Sequence, residues 1–381
     1  MPYSINKSIC YICYRDFPDT NFQYYSKTVS ENGYDVTILS YLKDNQKEFE
    51  IIDKRKIFRF RLPKSKYRQK RILLFLIKSV KILNKNNFSI VHIHHTCKYF
   101  LLLKILSKKK SKYVFHITSF FSSKPKWRFF AKKLFIFIQC LFMDNVIIQS
   151  AELKENWLGI RSLKKTKIIP VGFSSKVFFP VNKETKINNK KRLYIDKDYP
   201  LLVYCGSIAK LREINKLLEG FKTASLLIRN IKLMMIGDGD ALQDMKELAK
   251  NLKIDKQVIF TGKVDHQKLN NYFTAADIGI SYVPVKIKYN FNPPLKTFEY
   301  LACGLPTIAT NTLSNKKIIR NGYNGLLIQD TTEEIAKAII GLIKNQKMQD
   351  IFKKNARVSV LENDFDYITK RNLIPLYQKL L

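Results

Sequence analysis

Short apolar runs alternate along the whole chain with longer segments whose apolar positions recur every three or four residues. The first pattern predicts buried strands and the second amphipathic helices. Ser8–Tyr14 reads as a strand running into the turn-rich stretch Arg15-Asp16-Phe17-Pro18. Asn21–Asn32 reads as a helix capped by Gly33, and Tyr34–Ser40 as the next strand, the opening βαβ unit of a doubly wound sheet. The alternation continues through strands at Ile51–Arg61, Ile90–His94, Tyr113–Ile117, Asn145–Gln149 and Ile168–Val171. Helices are expected between them at Arg68–Asn84, Tyr99–Ser107 and Lys126–Phe142. The polar stretch Phe179–Tyr199, with the charged run Lys183–Arg192, breaks the pattern and reads as an interdomain linker or exposed loop. Strands then resume at Leu201–Cys205, Ile231–Ile236, Val258–Thr261, Ile278–Tyr282, Thr307–Ala309 and Gly325–Ile328, and helices at Thr332–Lys344 and Lys347–Ala356 close the series. In the tail Asp366–Leu381, Ile368, Leu373, Ile374, Leu376, Tyr377 and Leu380 place one apolar face on a helix, which should lie on a core.

Alternating strands and helices argue for α/β architecture with mostly parallel sheets. The restart after residue 179 makes two similar halves. The expected organisation is a Rossmann-like domain over 1–178, a second over 179–360, and a C-terminal helix over 361–381 that crosses back to the first. Ligands of open α/β sheets bind outside the carboxyl ends of the strands, and two such domains facing each other would enclose a cleft.

Composition changes this picture in one respect. The chain of 381 residues carries 68 Lys and Arg against 31 Asp and Glu, a net charge of +37. Such a field attracts phosphate-rich partners: nucleic acid, anionic lipid or phosphorylated small molecules. The abundance of Lys, Ile, Asn, Phe and Tyr also fits an AT-rich coding bias, so charge alone does not name the partner. Six cysteines are scattered, mostly within apolar runs, as in a reduced cytosolic protein. Cys10 and Cys13 form a CxxC, but no second pair or neighbouring His completes a metal site. Lys7 interrupts the short apolar N-terminal run, so no signal peptide is expected. Leu134–Met143 is too short to span a bilayer. These features predict a soluble or peripheral protein.

The candidate chemistry lies mainly in the second half. Gly206-Ser207 follows a strand, and Lys210-Leu211-Arg212 precedes a helix. A glycine there lets backbone N–H groups approach an anion, and Arg212 offers a bidentate phosphate contact. An ordinary turn with exposed cations fits these residues equally well. Gly237-Asp238-Gly239-Asp240 resembles half of a dinucleotide fingerprint, but a tight turn with Asp238 or Asp240 as helix N-cap accounts for it. The richest segment is Asn292–Pro306. Its prolines stiffen a loop, a helix begins near Leu295, and Lys296 falls in the first turn, where a cation is unfavourable by itself. A diphosphate held by the helix N-terminal N–H groups, Thr297 and Lys296 would explain the cation. Glu299, less than one turn later, is near enough to accept hydrogen bonds from ribose hydroxyls.

These segments, in this order and spacing, resemble the retaining GT-B glycosyltransferases of family 4, the group 1 glycosyl transferases. The resemblance is carried by Tyr204–Ser207, Arg212, Leu217–Phe221, Ile236–Gly239, Val258–Val264, Ala276–Ile280, Pro294–Pro306 and Asn321–Gly325. Looser matches in the first half are Ile90–His94, Asp144–Ser150 and Ile168–Phe173. The resemblance implies an α/β GT-B fold of two facing Rossmann-like domains with an interdomain cleft. It also implies sugar transfer from a UDP- or GDP-linked donor, without metal or other cofactor. Arg212 and Lys296 would stabilise the departing diphosphate as catalytic residues. Leu295 and Thr297 would offer backbone N–H groups to it, Glu299 would hold the ribose, Val264 would line the base pocket, and Gly206 and Ser207 would also bind the donor. Two residues depart from the family pattern. Phe291 stands where a sugar-binding Glu is usual, leaving Asn290 or Asn292 as substitutes, and Ser207 replaces a frequent Arg.

The first half would bind the acceptor, a glycan or lipid-linked glycan of surface polysaccharide or lipopolysaccharide assembly. Arg15, His94 and His95 are candidates for that side. His116 is the third catalytic candidate, the family's His, near the scissile bond, aligning with His116 or with Thr118. The basic, aromatic segment Lys124–Lys133, with Lys64–Arg71, suggests an anionic membrane surface as a partner, whereas a sheet-packing helix with a solvated Lys stripe explains it too. The location expected is cytoplasmic, on the inner face of the membrane if peripheral, with no nucleic acid bound. Rival readings are a hydrolysing nucleotide-sugar 2-epimerase of the same fold and a non-catalytic basic protein binding membrane or nucleic acid.

Overall fold

The computed structural model describes residues 7–18, 21–43, 45–63, 68–96, 99–118, 126–156 and 163–381. Two compact units divide the chain: residues up to Val171 together with Phe365–Leu381, and Gly172–Asp364. The divide thus falls seven residues before the expected domain boundary at 178. The segment belonging to the first unit begins at Phe365, since Val358–Asn363 forms a 3-10 turn within the second unit.

The first unit holds an eight-stranded sheet. Its strands are β1 (Ser8–Ile12), β2 (Asp35–Tyr41), β3 (Phe49–Ile52), β4 (Arg55–Phe60), β5 (Ile90–His94), β6 (Lys112–Ile117), β7 (Asn145–Ile148) and β8 (Thr166–Ile168). They lie in the order β3-β4-β2-β1-β5-β6-β7-β8, all parallel except the antiparallel edge pair β3 and β4. Ile51–Arg61, expected as one strand, is therefore a hairpin, because Asp53 and Lys54 both adopt positive φ and turn the chain. Helices α1 (Phe22–Glu31), α2 (Arg68–Lys85), α3 (Leu101–Leu106), α4 (Lys126–Leu141) and α5 (Ala151–Asn156) join the strands. Gly33, at φ +84°, ends α1. β1, β5 and most of β6 are buried on both faces, as their unbroken apolar runs require.

The second unit carries six parallel strands: β9 (Leu201–Cys205), β10 (Lys232–Ile236), β11 (Val258–Gly262), β12 (Ile278–Ser281), β13 (Thr307–Thr310) and β14 (Gly325–Ile328), in the order β11-β10-β9-β12-β13-β14. Its helices are α6 (Lys183–Arg192), α7 (Asn215–Leu227), α8 (Leu242–Asn251), α9 (Leu269–Ala275), α10 (Ile287–Asn290), α11 (Leu295–Ala302), α12 (Leu313–Lys316), α13 (Thr332–Lys344) and α14 (Gln346–Ala356). The expected linker at Phe179–Tyr199 is thus largely the helix α6, and it is tied to the core by charge. Buried Lys190 donates to Lys197 O, Tyr199 O and Asp277 Oδ2, and Lys186 pairs with the other carboxylate oxygen at 2.6 Å. These cations hold the Asp277 carboxyl, itself desolvated by burial, below its ordinary pKa.

The C-terminal segment starts with α15 (Phe365–Ile368), continues through a π-helical turn at Thr369–Leu373 and ends in α16 (Ile374–Leu380). Phe365 stacks on Tyr24 and meets Tyr25 edge to face. The Tyr377 hydroxyl lies against Tyr11 OH and His92 Nδ1, tying this segment to β1 and β5.

Each sheet reverses its winding once, between β1 and β5 in the first unit and between β9 and β12 in the second. Ligands of doubly wound sheets bind at such points, outside the carboxyl ends of the strands.

Candidate functional site

At the β9/β12 switch point of the second unit lies a cavity of about 400 Å³. Gly206, Ser207, Arg212, Asn292, Leu295, Lys296 and Glu299, all expected from sequence, line it together with Tyr204, Tyr289 and the loop Pro293-Pro294. Gly206 ends β9 at φ +152°, and a Cβ there would stand 3.5 Å from Lys296 Nζ. The missing side chain therefore leaves the approach to the ammonium open.

Lys296 is the second residue of α11, so its backbone dipole and its side chain both bring positive charge to one spot. Nζ donates to Tyr282 O at 2.9 Å and sits 3.8 Å from the centre of the Tyr204 ring. Burial, then the neighbouring Arg212 charge, push its pKa down to about 7. Arg212 lies on a 3-10 turn, its guanidinium 4.4 Å over the Tyr289 ring. The nearby acids are committed elsewhere. Glu213 pairs with Lys286 and Lys216, and Asp330 with Lys216 and Tyr282 OH. Arg212, Lys296 and the open N-terminus of a helix thus converge on a cavity whose lining, among the described residues, holds a single carboxylate, Glu299.

Glu299 is 6% exposed and accepts a 3.0 Å hydrogen bond from His266 Nε2. His266 stands edge-on to Phe178, and sequence reasoning does not find it. No motif spacing joins residues that meet only because the loop after β11 passes beside α11.

Other expected residues lie outside the cavity. The Thr297 side chain is fully buried, bonded to Ser281 Oγ at 2.6 Å and Asn315 Oδ1 at 3.0 Å. Its backbone N–H donates to Pro294 O. Thr297 therefore anchors α11 rather than facing a phosphate, and the N–H groups of Leu295 and Lys296 remain at the open end of the helix. Val264 is half-buried in the loop after β11 and is not part of the lining. Of the two asparagines weighed in place of a Glu, Asn290 accepts from the Leu313 N–H, whereas Asn292 lines the cavity.

The Gly237–Asp240 turn has another purpose than phosphate binding or capping. Asp238 Oδ1 accepts from Gly239 N and Asp240 Oδ1 from Lys210 N, while Ala241 occupies the N-cap. A Cβ on Gly237 would lie 1.9 Å from Gly206 O, so this glycine permits the turn after β10 to pack against the loop carrying Gly206.

In the first unit, His94, His95 and Thr118 meet at the carboxyl ends of β5 and β6. The Thr96 N–H donates to His94 Nδ1, so His94 Nε2 carries the proton and donates to Thr118 Oγ1 at 3.3 Å. Thr118 Oγ1 is also hydrogen-bonded to His95 Nδ1. Burial, then the charge of Arg15, push the His95 pKa down to about 3, so both rings are neutral near pH 7. His116 does not join them. It is 1% exposed and packs beside His92, Phe22 and Tyr25, and among the described residues neither ring nitrogen has a hydrogen-bond partner. This placement gives His116 a packing role in the sheet rather than a catalytic one. Cys10 and Cys13 are both buried and not joined in a disulfide, and among the described residues no cluster of His, Cys, Asp or Glu could hold a metal.

Residues 185–359 match the family model described as glycosyl transferases group 1, and residues 9–150 that described as glycosyl transferase 4-like. The chain belongs to the family 4 glycosyltransferases and has their GT-B fold. It is 26% identical to a glycosyltransferase of Methanocaldococcus jannaschii, over 72% of this chain and 64% of that one, just under two thirds of its length. It is 25% identical to the alpha-monoglucosyldiacylglycerol synthase of Acholeplasma laidlawii, over 78% and 77% of the two chains. The HepE protein of Anabaena, solved in complex with UDP-glucose, superposes with a TM-score of 0.79 over 97% of this chain and 99% of that one, at 12% identity.

Proposed function

We propose that the protein transfers a sugar, with retention and without a metal, from a UDP- or GDP-linked donor to a glycan or lipid-linked acceptor in surface polysaccharide assembly. The observation that supports this reading best is the convergence of Arg212, Lys296 and the N-terminus of α11 on the cavity beyond β9. In the reaction the bond from the anomeric carbon to the diphosphate oxygen breaks and a bond to the acceptor oxygen forms. The acceptor proton leaves with the nucleoside diphosphate. Arg212 and Lys296 carry the charge that develops on the departing diphosphate, the task a metal performs elsewhere. Glu299 accepts from the ribose hydroxyls, and Asn292 is placed to meet the sugar. On the acceptor side, His95 with Arg15 and the Thr118-bridged His94 would orient the attacking hydroxyl. The relative named for a diacylglycerol glucoside supports a lipid-borne acceptor, which would hold the enzyme at the inner face of the cytoplasmic membrane. Among the described residues no helix is long and apolar enough to cross a membrane.

The test is a thermal-shift screen with UDP, GDP, ADP and their sugars, followed by transfer assays and NMR of the product's anomeric configuration. A rise in melting temperature with one nucleoside diphosphate is expected, unchanged by EDTA. If no nucleotide binds and no nucleotide sugar is consumed, the reading fails. His266 acts here as a positioning residue for Glu299. His266→Ala should weaken nucleoside diphosphate binding about 3- to 10-fold while leaving kcat near its original value, the size of one lost hydrogen bond. Isothermal titration and steady-state kinetics separate these effects, and an equal fall in kcat would contradict a purely positioning role.

A further inference from the structure

Helix α4 is apolar on two opposite faces. Ile136, Cys140 and Met143 point into the core of the first unit, as its place after β6 requires. On the opposite side Trp127, Phe130, Leu134, Ile138 and Leu141 recur at helical spacing, each between 41% and 66% exposed. The cations sit between these two faces: Arg128 beside Trp127, Lys133 over Phe129, and Lys132. The helix is thus the reverse of a sheet-packing helix with a solvated Lys stripe.

The exposed surface does not end with α4. Helix α3 is hydrogen-bonded to α4 through Leu101 N to Gln139 and Lys104 Nζ to Phe142 O, and to α2 through Asn84. It adds exposed Ile105 and Leu106, and α2 adds Leu73 and Ile77. A soluble monomer rarely shows so large an apolar patch without a partner. The chemistry of that partner follows from charge. No Asp or Glu occurs between Asp53 and Asp144, a stretch with 24 Lys and Arg that contains all three helices. Lys108, Lys109 and Lys110, following α3, are exposed. A second copy of this surface would bring like charges together, whereas an anionic bilayer satisfies both the apolar stripe and its cationic border.

We infer that the outward face of α4, with the exposed apolar residues of α3 and α2, docks the protein on an anionic lipid bilayer. This deepens the acceptor half of the reading above, because it names the surface that meets the lipid, while resting on residues outside the cavity. Lys64–Tyr67 and Lys124-Pro125, also expected at such a surface, lie outside the described residues.

The full chain should sediment with phosphatidylcholine vesicles containing phosphatidylglycerol at least about tenfold more tightly than with pure phosphatidylcholine, and high salt should weaken this binding. Trp127 emission should shift to the blue on binding, and Trp127→Phe should remove that shift. Phe130→Ser with Ile138→Ser should reduce vesicle binding about tenfold or more. The nucleotide-induced thermal shift reports that the double variant is folded and should stay unchanged. Absence of vesicle binding by a folded, nucleotide-binding chain overturns the inference, as does a dimer, seen by light scattering, that buries Trp127 and leaves vesicles unbound. Vesicle binding with no nucleotide binding would instead sink the transferase reading and leave this one standing.

Discussion

Replacing Lys296 by alanine is expected to lower the rate of sugar transfer by about 10²–10³-fold, the usual cost of removing one preorganised donor from the site where charge develops. The fall should appear in kcat more than in KM, because the ammonium meets its full partner only as the diphosphate departs. The same residue predicts a pH dependence. In the free protein, burial and Arg212 hold the Lys296 pKa at about 7, so at pH 8 most molecules carry the neutral amine. A bound diphosphate returns a counter-charge and raises that pKa. The bound state therefore holds more protons than the free state above pH 7. Affinity should be fullest below pH 7 and fall as pH rises, by at most about tenfold per unit. Titration calorimetry at pH 8 in buffers of different ionisation heat should show uptake approaching one proton, and Lys296→Met should abolish it. The sign for folding is opposite. Since the folded pKa lies below that of the unfolded lysine, this residue adds stability as pH rises from about 7 toward 10.5.

The donor cavity is the most legible part of the molecule. A lysine in the first turn of a helix is costly, so the position of Lys296 in the chain is enough to announce an anion. Gly206 and Arg212 flank the same sheet end because both follow β9 closely. Features built by tertiary contact are less readable. His116 and His94 occupy paired positions on β6 and β5, both strands buried on both faces, so no polar alternation marks which ring reaches the strand ends. Thr297 has the composition of a phosphate ligand, and only the buried Ser281 and Asn315 show that it faces inward. Helix α6 reads as a linker because its buried residues, Asn189 and Lys190, are polar. The apolar repeat of α4 is visible in the chain, but both sides of the helix are apolar, and its placement against the sheet decides which one is exposed.

The second large effect is expected at Gly237, a residue with no ligand to bind. Its φ of +143° is open to glycine and costly for other residues, and a Cβ would fall 1.9 Å from the carbonyl oxygen of Gly206. The contact is held on both sides. Gly206 N donates to Ile236 O, Gly237 N to Gly262 O, and Ile208 N to Asp238 O. The colliding atom is backbone, so no side chain can swing aside, and the turn after β10 and the loop after β9 must separate. Gly237→Ala should therefore destabilise the second unit by roughly 3–5 kcal/mol, combining backbone strain with overpacking. For a unit of this size, that lowers the melting temperature by about 10 °C or more. The folded fraction should bind nucleotide poorly, because the loop displaced is the one that keeps the approach to Lys296 open. Gly341→Ala is the matched control. It lies in α13, a Cβ there meets nothing within 4 Å, and the substitution should stabilise by about 0.5–1 kcal/mol. If both variants melt like the parent protein, the close approach of these two loops is not what holds the donor cavity in shape.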